Sequence, residues 1–141
     1  MKKNLVIICV ILMMPFVVLA GENETQTCAN GSGTVIEGND GTKFCKSNRV
    51  MNWWTALGWC QSIGKTMMRY PADCRCLGDG CPTIESKCPN LTGISNVTVW
   101  SSTPASRGYA FHVSLSNGNV DGQSCSYLTY GHYALCRYFS D

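Results

Sequence analysis

Nine cysteines follow position 27, at 28, 45, 60, 74, 76, 81, 88, 125 and 136. At that density a small chain is either crosslinked or metal-bound. The compartment decides between the two, and the N-terminus speaks to it. Lys2 and Lys3 precede an apolar run from Leu5 to Ala20, and Val18-Leu19-Ala20 ends it with short side chains. That pattern reads as a signal peptide over residues 1–20, cleaved before Gly21. The run is short for a membrane anchor, which needs about 20 apolar residues. The mature chain is therefore expected to be secreted, periplasmic or at the cell surface, with no membrane contact after cleavage. A disulfide framework is the reading that fits an oxidising compartment. Nine is odd, so at least one thiol is left over.

Residues 21–27 form a polar lead-in, and 28–141 form a single domain. Lys and Arg total 11 and Asp and Glu total 9, and Lys2 and Lys3 leave with the leader. The balanced mature chain has no basic run, which argues against nucleic acid and anionic lipid as partners.

Local patterns suggest pairings. Thr34-Val35-Ile36 and Thr42-Lys43-Phe44 flank Gly38-Asn39-Asp40-Gly41, which reads as a hairpin whose ends a Cys28–Cys45 bond would tie. In MNWWTALGWC, Asn52 can cap a helix, and Trp53, Ala56, Leu57, Cys60 and Ile63 repeat on one helical face before Gly64 stops it. Trp54 and Trp59 fall off that face. Cys60 then points into the core, and its best partner is Cys136 in the strand-like Tyr133–Tyr138. Closing so long a loop would stabilise by roughly 4–5 kcal/mol. YPADCRCLGDGCPTIESKCP, residues 70–89, has no regular period and reads as an irregular loop. Its cysteines lack the paired arms of a zinc site, so Cys74–Cys88 and Cys76–Cys81 are preferred, leaving Cys125 unpaired. Val97–Ser102 and Tyr109–Leu115 read as strands. Ser116-Asn117-Gly118-Asn119 reads as the turn after the second of them.

The order Trp53/Ala56/Cys60, Gly64, Trp100 and YALCR with Cys136 resembles a C-type lectin-like domain of the small bacterial exported kind. The resemblance covers about residues 28–138. It implies an α+β fold with two helices, antiparallel sheets and a long disulfide-stapled loop region that holds the ligand site. It does not extend to calcium. The family's loop tripeptide is replaced by Cys88-Pro89-Asn90, and no Trp-Asn-Asp follows. Calcium needs six to eight oxygens, so no metal or other cofactor is expected.

Catalytic groups are sparse. His112 and His132 are the two histidines, and no G-x-S-x-G elbow occurs. A non-enzymatic binding module for a glycan or an extracellular protein is the expectation. Arg107, Tyr127 and Tyr130 are its candidate contact residues, because tyrosine among Ser and Gly suits adaptable recognition. The alternative is a structural subunit of an extracellular or surface assembly, disulfide-linked through Cys125. Asn-x-Ser/Thr sequons begin at Asn23, Asn30, Asn90 and Asn96.

Overall fold

The computed structural model describes residues 25–74, 87–125 and 130–138. The leader, Cys76, Cys81 and Tyr127 lie outside the described residues. Strands dominate. In chain order they are β1 (Thr27–Cys28), β2 (Gly33–Glu37), β3 (Lys43–Met51), helix α1 (Trp53–Ser62), β4 (Thr66–Met67), β5 (Lys87–Thr92), β6 (Thr98–Ser106), β7 (Tyr109–Ser114), β8 (Asn117–Ser124) and β9 (His132–Arg137). They form one nine-stranded sheet in the order β1-β2-β3-β9-β6-β7-β8-β5, with β4 also paired to β9. All pairs are antiparallel except β6 with β9.

This corrects the α+β expectation. Among the described residues there is one α-helix, not two, and the sheet is mixed. The second helix came from the resemblance, and the described residues offer no segment that suits it. After Gly64 they pass through β4 and a turn at Tyr70–Asp73 before β5, and Pro71 and Pro89 interrupt helical hydrogen bonding. Helix α1 itself forms as its residues dictate. Asn52 Oδ1 accepts from the Thr55 amide at 2.9 Å. At the other end Gly64 adopts φ 68°. The Gly64 amide donates to Gln61 and the Lys65 amide to Cys60, at 3.0 and 2.9 Å, which closes the last turn. Trp53, Ala56 and Cys60 are buried, while Trp54 is 63% exposed.

Side chains of the central strands alternate between two cores. Cys45, Trp100, Ala110, Ala134 and Cys136 pack under α1. Phe44, Val99, Val113 and Leu135 pack on the opposite face with Met68, Leu91 and Leu115. A strand buried on both faces needs apolar residues at successive positions, which explains the run Ala134-Leu135-Cys136. The β2–β3 hairpin pairs Val35 with Cys45 and Ile36 with Phe44, as its flanking residues suggested. The β7–β8 turn falls at Leu115-Ser116, slightly earlier than expected, and Asn117 already opens β8. Gly118 sits within β8 at φ 70°, where a Cβ would lie 2.7 Å from the Cys88 carbonyl oxygen, so only glycine lets β5 approach.

Three of the four expected disulfides form among the described residues: Cys28–Cys45, Cys60–Cys136 and Cys74–Cys88. The expected Cys76–Cys81 bond lies outside them. Among the described residues Cys125 is the free thiol. Asn90 ties the loop side of the sheet together. It is 2% exposed, its Oδ1 accepts from the Asp40 amide at 2.8 Å, and its Nδ2 donates to the Asp73 carbonyl at 3.1 Å. An oligosaccharide cannot be carried there in the folded state, so the Asn90 sequon is a structural asparagine. Asp73 in turn pairs with Arg137 of β9 at 2.9 Å.

Cys60 and Cys136 are 76 residues apart in sequence, against 17 for Cys28 and Cys45. Loop-closure entropy therefore ranks them. The Cys60→Ala/Cys136→Ala variant is expected to lose about 4–5 kcal/mol in denaturant unfolding, and the Cys28→Ala/Cys45→Ala variant about 3 kcal/mol. Equal losses, or the reverse order, would contradict this ranking.

Candidate functional site

Three strands meet in a row across the sheet, where Trp100 of β6 lies opposite His112 of β7, and His112 opposite Asp121 of β8. Alternation puts all three on the α1 side, beyond the helix. His132 opens β9 on the same side, because the parallel pairing of Val99 with Tyr133 brings β9 beside β6. The two histidines therefore stack on each other, with ring centroids 4.6 Å apart and planes 19° from parallel. Trp100 and His132 meet edge to face, with ring centroids 4.6 Å apart and planes 68° apart. Gln123 completes the group, its Oε1 accepting from His132 Nε2 at 3.0 Å. With the amide oxygen facing it, Nε2 carries the proton. His112 Nδ1 is buried and has no hydrogen-bond partner among the described residues.

Both rings are held neutral. Burial pushes His132 down to about 4, and the neighbouring His112 adds to this. Burial also lowers His112, opposed by the Asp121 carboxylate. A stacked pair of neutral imidazoles with one fixed proton makes a rigid polar seam.

The seam ends at the surface in a cleft of about 370 Å3 lined by Tyr109, Gly122, Gln123, Ser124 and Tyr130. Tyr109 begins β7 and pairs with Ser124 at the end of β8. Tyr130 arrives from the other side, two residues before His132. Gly131 between them lies close against Val50, where a Cβ would come within 3.2 Å of that side chain. Both tyrosines are 48% exposed. Gln123 thus joins the buried seam to the open cleft.

The expected contact residues are placed as follows. Tyr130 lines the cleft. Arg107 is exposed in the Arg107-Gly108 turn that leads into Tyr109, but it does not line the cleft. Tyr127 lies outside the described residues. Cys125 is half-buried beside the same turn, its Sγ donating to the Gly108 carbonyl at 3.3 Å. Tyr109 and Gln123 are the additional cleft residues. Alternation along Tyr109–Leu115 sets His112 on the opposite face from Phe111 and Val113, but nothing local in the sequence signals that His132 stacks on it. Among the described residues no group of three or more His, Cys, Asp or Glu is arranged to hold a metal ion.

Comparisons with protein-family models, with curated proteins and with solved structures found no match.

The histidine pair gives stability a pH dependence. The folded pKa of His132 lies below its unfolded value near 6.5, so the unfolded chain binds the extra proton first. Stability is fully present above pH 6.5 and falls as pH drops from 6.5 toward 4. The urea midpoint is expected to decline between pH 6.5 and 5, above the range where carboxylates dominate. His132→Gln is expected to flatten that segment. An NMR titration placing His132 near 6.5 in the folded protein would contradict this.

Proposed function

We propose that the mature chain is an exported, non-catalytic and calcium-independent binding module. In this reading it is secreted, periplasmic or held at the cell surface, and it takes a glycan or extracellular protein ligand at the Tyr109–Tyr130 cleft. The observation that carries the reading is the cleft itself, where two half-exposed tyrosines from different strands flank the polar groups of Gln123 and Ser124. Tyrosine rings offer flat apolar area with little rotamer entropy to lose, and they stack on sugar rings or pack on peptide. The fixed amide beside them supplies directional hydrogen bonding. The three disulfides are compatible with an oxidising compartment. Among the described residues no helix is long and apolar enough to cross a membrane. The lectin-like order of motifs favours the same kind of ligand without contributing calcium ligands.

The second reading, a structural subunit of an extracellular assembly, rests on the Cys125 thiol beside the Arg107-Gly108 turn. Gel filtration of freshly prepared protein, with and without reductant, separates the two. A monomer under both conditions is expected. A disulfide-linked oligomer lost in Cys125→Ser would favour the assembly.

The cleft is tested by Tyr109→Ala/Tyr130→Ala. Surface truncations of this kind change stability by about 0.5 kcal/mol each. The double variant is expected to keep its melting temperature within a few degrees. On a glycan array or against extracellular host proteins it is expected to lose at least about tenfold in affinity for the parent's ligand. A folded double variant that retains every interaction of the parent would overturn the assignment.

A further inference from the structure

A second pocket shares no residue with the cleft. It measures about 380 Å3 and is lined by Gly31, Ser32, Asn48, Arg49, Met51 and Trp59, with Ser47 at its base. Its walls are built by two departures from regular structure. In β3 the register to β9 shifts between Lys46 and Val50, which frees Ser47–Arg49 from pairing with that strand. Ser47 Oγ fills the gap, accepting from the Ala134 amide at 2.9 Å and donating to the Arg49 carbonyl at 2.7 Å. Facing this bulge, Ala29, Asn30 and Gly31 are successive left-handed residues at φ 52°, 54° and 84°. For Ala29 that conformation is strained. Asn48 holds it in place, its Nδ2 donating to the Gly31 carbonyl at 3.0 Å and its amide to the Ser32 carbonyl at 3.0 Å.

Several of the pocket's acceptors already hold a hydrogen bond. The carbonyls of Gly31, Ser32, Ser47 and Arg49 each accept a hydrogen bond. Asn48 Oδ1 accepts from Thr34 at 2.9 Å. Its side-chain donors Asn48, Ser47 and Ser32 are also used, and two remain. Among the described residues the Arg49 guanidinium makes no ion pair or hydrogen bond. The indole N–H groups of Trp53 and Trp100 donate to backbone carbonyls at 2.8 Å each, whereas that of Trp59 has no partner among the described residues. Arg49 is the charged residue of the lining. A ligand for such a pocket carries negative charge, offers several acceptors and presents a flat apolar face to an indole. A planar guanidinium grips a carboxylate through two parallel N–H···O bonds.

We propose that this pocket binds a carboxylate-bearing pyranose, a uronic acid residue, with Arg49 on the carboxylate and Trp59 against the ring. The site is separate from the Tyr109–Tyr130 cleft, so either can fail without the other.

The test uses the oxidised mature chain labelled with nitrogen-15. It is titrated with the methyl glycosides of glucuronic and galacturonic acid and with their neutral counterparts, methyl glucoside and methyl galactoside. At least one uronide is expected to shift the Trp59 indole N–H, with its neutral partner at least about tenfold weaker, since hydrogen bonds to charged groups exceed neutral ones. Arg49→Gln is expected to abolish that preference. Arg69→Gln, which removes the same charge elsewhere on the surface, is expected to keep it. The proposal is overturned if neither uronide moves Trp59, if neutral and acidic sugars bind alike, or if Arg69→Gln weakens binding as much as Arg49→Gln. Shifts confined to Tyr109, Gln123 and Tyr130 would also overturn it, assigning the uronide to the cleft.

Discussion

The bond between Cys60 and Cys136 joins the only described α-helix to the central strand of the sheet, and most of the remaining structure is arranged around that strand. β9 pairs with β3, with β6 and with β4, so its loss would separate the β1–β3 hairpin region from the β6–β8 meander. Its side chains serve both cores, Ala134 and Cys136 under the helix and Leu135 on the far face. Cys45 lies directly across from Cys136, so the disulfides Cys28–Cys45 and Cys60–Cys136 sit side by side. The chain segments from β1, β3, β9 and α1 are thereby fixed together within a few ångströms. That is a sensible place to constrain a small domain, where buried area alone gives a narrow stability margin.

The same strand positions the polar groups. His132 is the first residue of β9, and the short parallel contact with β6 places it against Trp100 and His112. Away from the covalent anchor the apolar core gives way to stacked neutral rings, then to Gln123, then to the open cleft with its two tyrosines. Burial falls along this path and hydrogen-bonding capacity rises. A surface of this kind can be stiff in its backbone and still expose aromatic area, because disulfides and a double-faced core hold the strands beneath it. The β3 bulge and the left-handed turn at Ala29–Gly31 shape a second pocket of similar size, where the Arg49 guanidinium and the Trp59 indole N–H are without partners among the described residues.

Local patterns in the sequence carried the helix well. The spacing of Trp53, Ala56 and Cys60, the cap at Asn52 and the stop at Gly64 all recur in the structure. Cys28–Cys45, Cys60–Cys136 and Cys74–Cys88 were legible because hairpin ends, a buried helix face and a short cysteine-rich segment each narrow the choice of partner. What was not legible was long-range. The second helix was imported with a resemblance, not read from any periodic segment. β4 spans two residues and β5 contains Pro89, so neither has a strand pattern of its own. The histidine stack depends on a parallel contact between strands far apart in sequence, and no pair of local motifs specifies such a contact. Tyr130 was legible as a surface aromatic among small polar residues. Its neighbour Gln123 was not, since a single glutamine carries no pattern.

Because β9 joins β3, β4 and β6 and carries Cys136, it is expected to be the last element to open. Native-state hydrogen exchange of the oxidised chain tests this most directly. The amides of Ala134, Leu135 and Cys136 should exchange only through global unfolding, with a free energy equal to that from denaturant titration. The amides of β5 and of the Leu115-Ser116 turn should exchange through smaller, local openings. If the β9 amides exchange faster than those of β7 or β8, the sheet is held together elsewhere, and Cys60–Cys136 is not the bond on which the fold depends.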